Sequence, residues 1–155
     1  MSEHNEKLKT QGIRPYSIGI GKNQIGSAVK VDGIANYRNV LNDAQRLLQE
    51  REYSLAIVRV ITAFEVFILN KIIMMHPNEE KNIRNVLSSE KFEGKLLSYL
   101  KTSGKEDAKQ TREWSDYYAI QQQRNAIVHL GSDFGHKEAV FALEQITSLI
   151  TLLQD

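Results

Sequence analysis

The sequence predicts an all-α protein: an antiparallel helical bundle of four long helices plus short ones, preceded by a short stretch of different character. Three observations lead there. From Ile34 onward, apolar residues recur at intervals of three and four, the period of a helix with one buried face. Pro77, Gly104 and Gly131 punctuate these runs at points where a helix would end. Alternation of the strand kind is confined to residues 16–33, which hold Ile18/Ile20, Val29/Val31 and four glycines, Gly19, Gly21, Gly26 and Gly33.

The elements come in order along the chain. Residues 1–15 read as a polar leader. Residues 16–33 leave two readings open, a small β-hairpin turning at Gly21–Gln24 or a Gly-rich linker. The Gly21-Lys22 pair does not make a phosphate loop, because Asn23 comes next and no helix pattern opens there. Ile34, Tyr37, Val40/Leu41, Ala44 and Leu47/Leu48 predict a first helix over 34–50, with Asp32 as its cap. The second, over 52–75, is apolar almost all round, as expected of a helix in the middle of a bundle. Weaker periodicity over 78–103 (Ile83, Val86, Leu87, Phe92, Leu96, Leu97, Leu100) predicts one broken helix or two short ones. A long helix is expected from Glu106 to His129, with Gly131 past its end. The last begins near Gly135 and buries Ala139, Leu143, Ile146, Ile150 and Leu153, flanked by Ala142 and Leu149. The division is thus 1–33 as leader with hairpin or linker, and 34–155 as one helical domain.

Composition narrows the chemistry. A chain of 155 residues is long enough to bury a real core. Its net charge of +1 supplies no global field, so a polyanion would need a local patch. There is no cysteine, which removes disulfides, thiol catalysis and Cys-based zinc sites. His76 and His136 lack ligand spacing, and no metal or other cofactor is expected. Met1–Thr10 has no apolar signal core. The longest apolar run, around Leu55–Met75, is broken by Arg59, Thr62, Glu65, Asn70 and Lys71. A cytoplasmic protein with no membrane span is the expectation.

Arg124-Asn125-Ala126-Ile127-Val128-His129 is the stretch with the most chemistry. It groups a permanent cation, an amide and a side chain that titrates near neutrality at a helix end. The carbonyl end of a helix favours an imidazolium there, and Arg124 can fork two bonds onto a phosphate. On an ideal helix the two residues lie about 140° and about 7.5 Å apart, so two copies meeting at this helix would complete a site better than one. Tyr117 and Gln121 fall on the Arg124 side, and Ile127 and Val128 are expected in the core. The plain alternative is a His serving the last carbonyls of its own helix and an Arg on a solvated face. Glu65, in the most apolar helix, needs a partner or a shifted pKa. With Arg59 and Thr62 it forms a loose polar stripe that either orients helices or positions Arg124 or His129. Trp114, Tyr117 and Tyr118 are expected in the core or an interface, although aromatics can also stack on bases.

Arg124-Asn125 with His129 after it resembles the R-x(4–6)-H signature of HEPN domains, in the R-N-x-x-x-H form. The apolar helix Tyr53–Ile68 also looks like that family's central helix, and the resemblance spans residues 34–153. It implies a helical bundle that dimerises with two motifs facing each other, and metal-independent endoribonucleases of toxin–antitoxin, antiviral defence and RNA-processing systems. On that resemblance Arg124 and His129 are catalytic and Asn125 positions the phosphate or the His; Glu65 and Tyr117, from their places in the helices, are expected to support them. The implied partners are RNA, a second copy through the motif-bearing helix, and an antitoxin or defence-system protein. Some relatives are instead silent modules for dimerisation or partner binding. In one respect the chain departs: toxins silenced by adenylation carry a Tyr two residues after the His, and here Gly131 stands there.

Overall fold

The computed structural model describes residues 36–75, 78 and 92–154. Five α-helices appear in chain order: α1 (Tyr37–Gln49), α2 (Tyr53–Met75), α3 (Phe92–Thr102), α4 (Arg112–Leu130) and α5 (His136–Leu153), with a 3₁₀ turn at Glu106–Gln110 before α4. The expected all-α helical bundle is what forms, with no strand among the described residues. The hairpin expected over 16–33 lies outside them, as do the Asp32 cap and most of 78–91.

α2 is apolar on every side because it is covered on several. It packs against α3, α4 and α5, and α4 packs against α5. Ile57, Ile61, Phe64, Ile68 and Leu69 are fully buried along it, each contributing roughly 1.5–3 kcal/mol relative to exposure. From α5, Ala139, Ala142, Ile146, Leu149, Ile150 and Leu153 complete this core. Leu143, expected among them, is half-buried.

Local signals explain the boundaries. The Asn36 side chain accepts from Arg38 N–H at 2.8 Å and starts α1. Arg51 adopts a left-handed φ of 65° between α1 and α2, which lets Glu52 N–H reach back to the Leu47 carbonyl at 2.9 Å. An ion pair of 2.9 Å from Arg59 Nε to Asp43 then ties α2 to α1. Burial lowers the Arg59 pKa and the Asp43 charge opposes that shift. The long helix expected from Glu106 begins instead at Arg112. Thr111 is extended, and its hydroxyl accepts from Trp114 N–H at 3.2 Å, so it caps α4 and leaves the preceding turn as 3₁₀.

Candidate functional site at the end of α4

α4 carries the motif and changes character along its length. Trp114, Tyr117 and Ile120 are buried. Beyond Ile120 no residue of the helix is fully buried. Val128 is 54% exposed and Leu130 79%, so the expectation that Val128 belongs to the core fails, and Ile127 is only half-buried.

Tyr117, Gln121 and Arg124 stand at successive intervals of four and three and share one side of the helix. Tyr117 is fully buried, its ring 4.8 Å from that of Phe64 on α2. Glu65, next to Phe64, is half-buried as a residue. Desolvation nevertheless pushes its carboxyl up to about 7, and the positive charge of Arg124 pulls the other way. Tyr117 is held far above its ordinary value, first by burial and then by the negative charge of Glu65. Glu65, Tyr117 and Arg124 therefore form one electrostatic group at the α2–α4 junction. Glu65 makes no ion pair among the described residues, and of the two expectations for it, a partner or a shifted pKa, the shift is what appears. The polar stripe of α2 does not act as a unit. Arg59 serves α1, Thr62 donates to its own helix at Val58 O over 3.0 Å, and Glu65 alone faces α4.

Arg124 is half-buried. Its Nη1 donates to Asn125 Oδ1 at 3.1 Å, while its Nε is shielded from solvent without a partner among the described residues, as are Tyr117 OH and Gln121 Oε1. Such groups are costly unless something satisfies them. Asn125 and His129 are exposed. The fold thus brings Arg124 together with Glu65, Tyr117 and Asn125, and leaves His129 on the neighbouring exposed face with no hydrogen bond among the described residues.

The turn after His129 is fixed in place. Gly131 takes a left-handed φ of 70°, where a side chain would be strained, and its N–H caps the Ile127 carbonyl at 3.2 Å. Ser54, at the start of α2, donates to Asp133 Oδ1 and accepts from Phe134 N–H, both at 2.9 Å. The Tyr53 ring meets His136 edge-on at 5.5 Å. Sequence reasoning missed Ser54 and Asp133 because nothing local links residues 79 positions apart. The aromatic set also divides. Trp114 and Tyr117 are core, but Tyr118 is 36% exposed and its hydroxyl donates to Glu93 Oε2 of α3 at 2.7 Å.

Among the described residues no group of three or more His, Cys, Asp or Glu side chains is placed to hold a metal ion, and no helix is long and apolar enough to cross a membrane. The end of α4 offers an arginine with unused donors and an accessible imidazole, a set suited to binding a phosphate and moving a proton. No family model, curated protein or solved structure matches the chain.

Proposed function

We propose that the protein is a HEPN-like, metal-independent endoribonuclease acting in the cytoplasm as a toxin or antiviral defence component. The observation that carries this reading is the polar group at the end of α4. There Arg124 lies within electrostatic reach of Glu65 and donates to Asn125, and His129 lies exposed five residues further on. A permanent cation beside an accessible imidazole is the pairing that phosphodiester transesterification needs.

In the proposed reaction the 2′-OH of RNA attacks the adjacent phosphorus and the P–O5′ bond breaks. His129 takes the 2′ proton or gives a proton to the leaving 5′ oxygen. Arg124 neutralises the charge that develops on the pentacoordinate phosphorus, and Asn125 holds Arg124. The products are a 2′,3′-cyclic phosphate and a 5′-OH. Two copies docked through α4 would supply both proton-transfer roles at once. An antitoxin or defence partner would restrain the activity.

The test is cleavage of mixed RNA and of matching DNA in EDTA by the wild type, Arg124→Ala and His129→Ala. RNA should be cut and DNA spared, since DNA lacks the nucleophile. His129→Ala should lose roughly 10²–10⁴-fold in rate with its melting temperature unchanged. Equal cutting of DNA, or full activity of both variants, would overturn the reading. The second reading is a catalytically silent dimerisation or partner-binding module. It is favoured by the exposure of Val128 and Leu130 beside His129.

A further inference from the structure

We infer that the exposed stripe Tyr118, Gln122, Asn125 and His129 is a track for single-stranded RNA, in which the Tyr118 ring stacks on an unpaired base a few nucleotides from the phosphate that is cut. This rests on the endoribonuclease reading and adds to it the form of RNA taken and the residue that selects it.

The four residues succeed one another at intervals of four, three and four, so they line one side of α4, and all four are exposed. Tyr118 stands apart from the other aromatics of the helix. Its ring is braced edge-on by Trp114, with centroids 5.6 Å apart at 81°, and lies 5.2 Å from Tyr117. Its hydroxyl is tethered to Glu93. A ring ordered by three contacts and still accessible loses little entropy when a base stacks on it. The Glu93 carboxylate beside it repels a phosphate, which leaves the ring for a base. At the other end of the stripe stands the His129 imidazole, with Asn125 on the stripe bonded to Arg124 on the adjoining side of the helix. Tyr118 and His129 are separated by about 16 Å along the axis, a span of a few nucleotides. Between them Gln122 and Asn125 present amides that can pair with base edges. In a duplex the bases are already stacked and their edges paired, so an isolated aromatic platform favours single strands.

Binding is measured by fluorescence anisotropy, in EDTA, with a labelled 2′-O-methyl RNA that cannot be cut, single-stranded or annealed to its complement. Tyr118→Ala and Tyr118→Leu should each weaken the single strand roughly tenfold, and Tyr118→Phe should bind like the wild type. The duplex should bind more weakly and ignore all three changes. An abasic residue scanned along the single strand should weaken wild-type binding at one position and leave Tyr118→Ala indifferent to its place. Leu binding as well as Tyr would show mere apolar filling and overturn the inference. So would a change in sedimentation on Tyr118→Ala, which would mark the ring as a contact between copies. Cleavage of unmodified RNA with indifference to Tyr118 overturns this inference alone; neither cleavage nor binding overturns the function proposed above as well.

Discussion

The two halves of α4 obey different physics on one continuous helix. In the first, Trp114, Tyr117 and Ile120 are buried against α2 and its neighbours, and aromatic rings interlock. In the second, side chains from Gln122 to Leu130 are half-buried or exposed, and order comes from the backbone cap at Gly131 and the Ser54 clamp. Changes at the buried Trp114, Tyr117 and Ile120 should therefore act on stability. Changes to exposed side chains should act on what the protein binds or cuts.

The largest stability effect should come from breaking the buried half. Tyr117→Ala should cost roughly 3–5 kcal/mol, in keeping with removal of a large buried ring. Tyr117→Phe, which deletes a shielded hydroxyl without a described partner, should be neutral or slightly stabilising. Urea midpoints of the two variants separate these outcomes, and a Phe variant as weak as Ala would show the hydroxyl to be satisfied.

Glu65 sits at the join and tests it through pH. Its folded pKa, about 7, lies above the ordinary 4.5. As pH rises through 4.5 the unfolded chain loses its proton first, so ionisation favours unfolding until the folded carboxyl also ionises near 7. Glu65→Gln should therefore match the wild type in stability at about pH 4. It should exceed it by roughly 1–3 kcal/mol at about pH 8. A constant difference across that window in urea titrations would show that the carboxyl is well solvated.

In the exposed half, the backbone should matter more than the side chains. Gly131→Ala places a side chain at φ 70° and should cost about 1 kcal/mol, read as a lower melting temperature. Leu130→Asp should change the stability of one chain by less than about 0.5 kcal/mol. If copies meet through this end of α4, the same substitution should shift sedimentation toward the monomer. Unaltered sedimentation of an associating protein would move the interface elsewhere.

Much of the fold was legible because its signals are local. The three-and-four spacing of Val40, Ala44 and Leu47 marked α1. The apolar girth of α2 announced a central helix, and Gly131 marked the end of α4. The Thr111 cap was overlooked because a threonine within a polar run looks like any surface residue until its hydroxyl is seen to meet Trp114 N–H. Of the candidate site, Arg124, Asn125 and His129 were visible as a motif, and Glu65 as a charge out of place. Val128 was misplaced because its apolar character does not say whether the packing around α4 covers that position.

By itself, then, the sequence determined the helices, most of their ends and the residue types gathered at the end of α4, since each depends on neighbours within a turn or two. Only the tertiary structure decided that Glu65 and Tyr117 lie within electrostatic reach of Arg124, that Ser54 holds the loop after His129, and that Tyr118 is left accessible while Tyr117 is not. Those facts depend on how far helices distant in the chain overlap. Periodicity tells which side of a helix seeks cover, and packing alone tells how much of that side receives it.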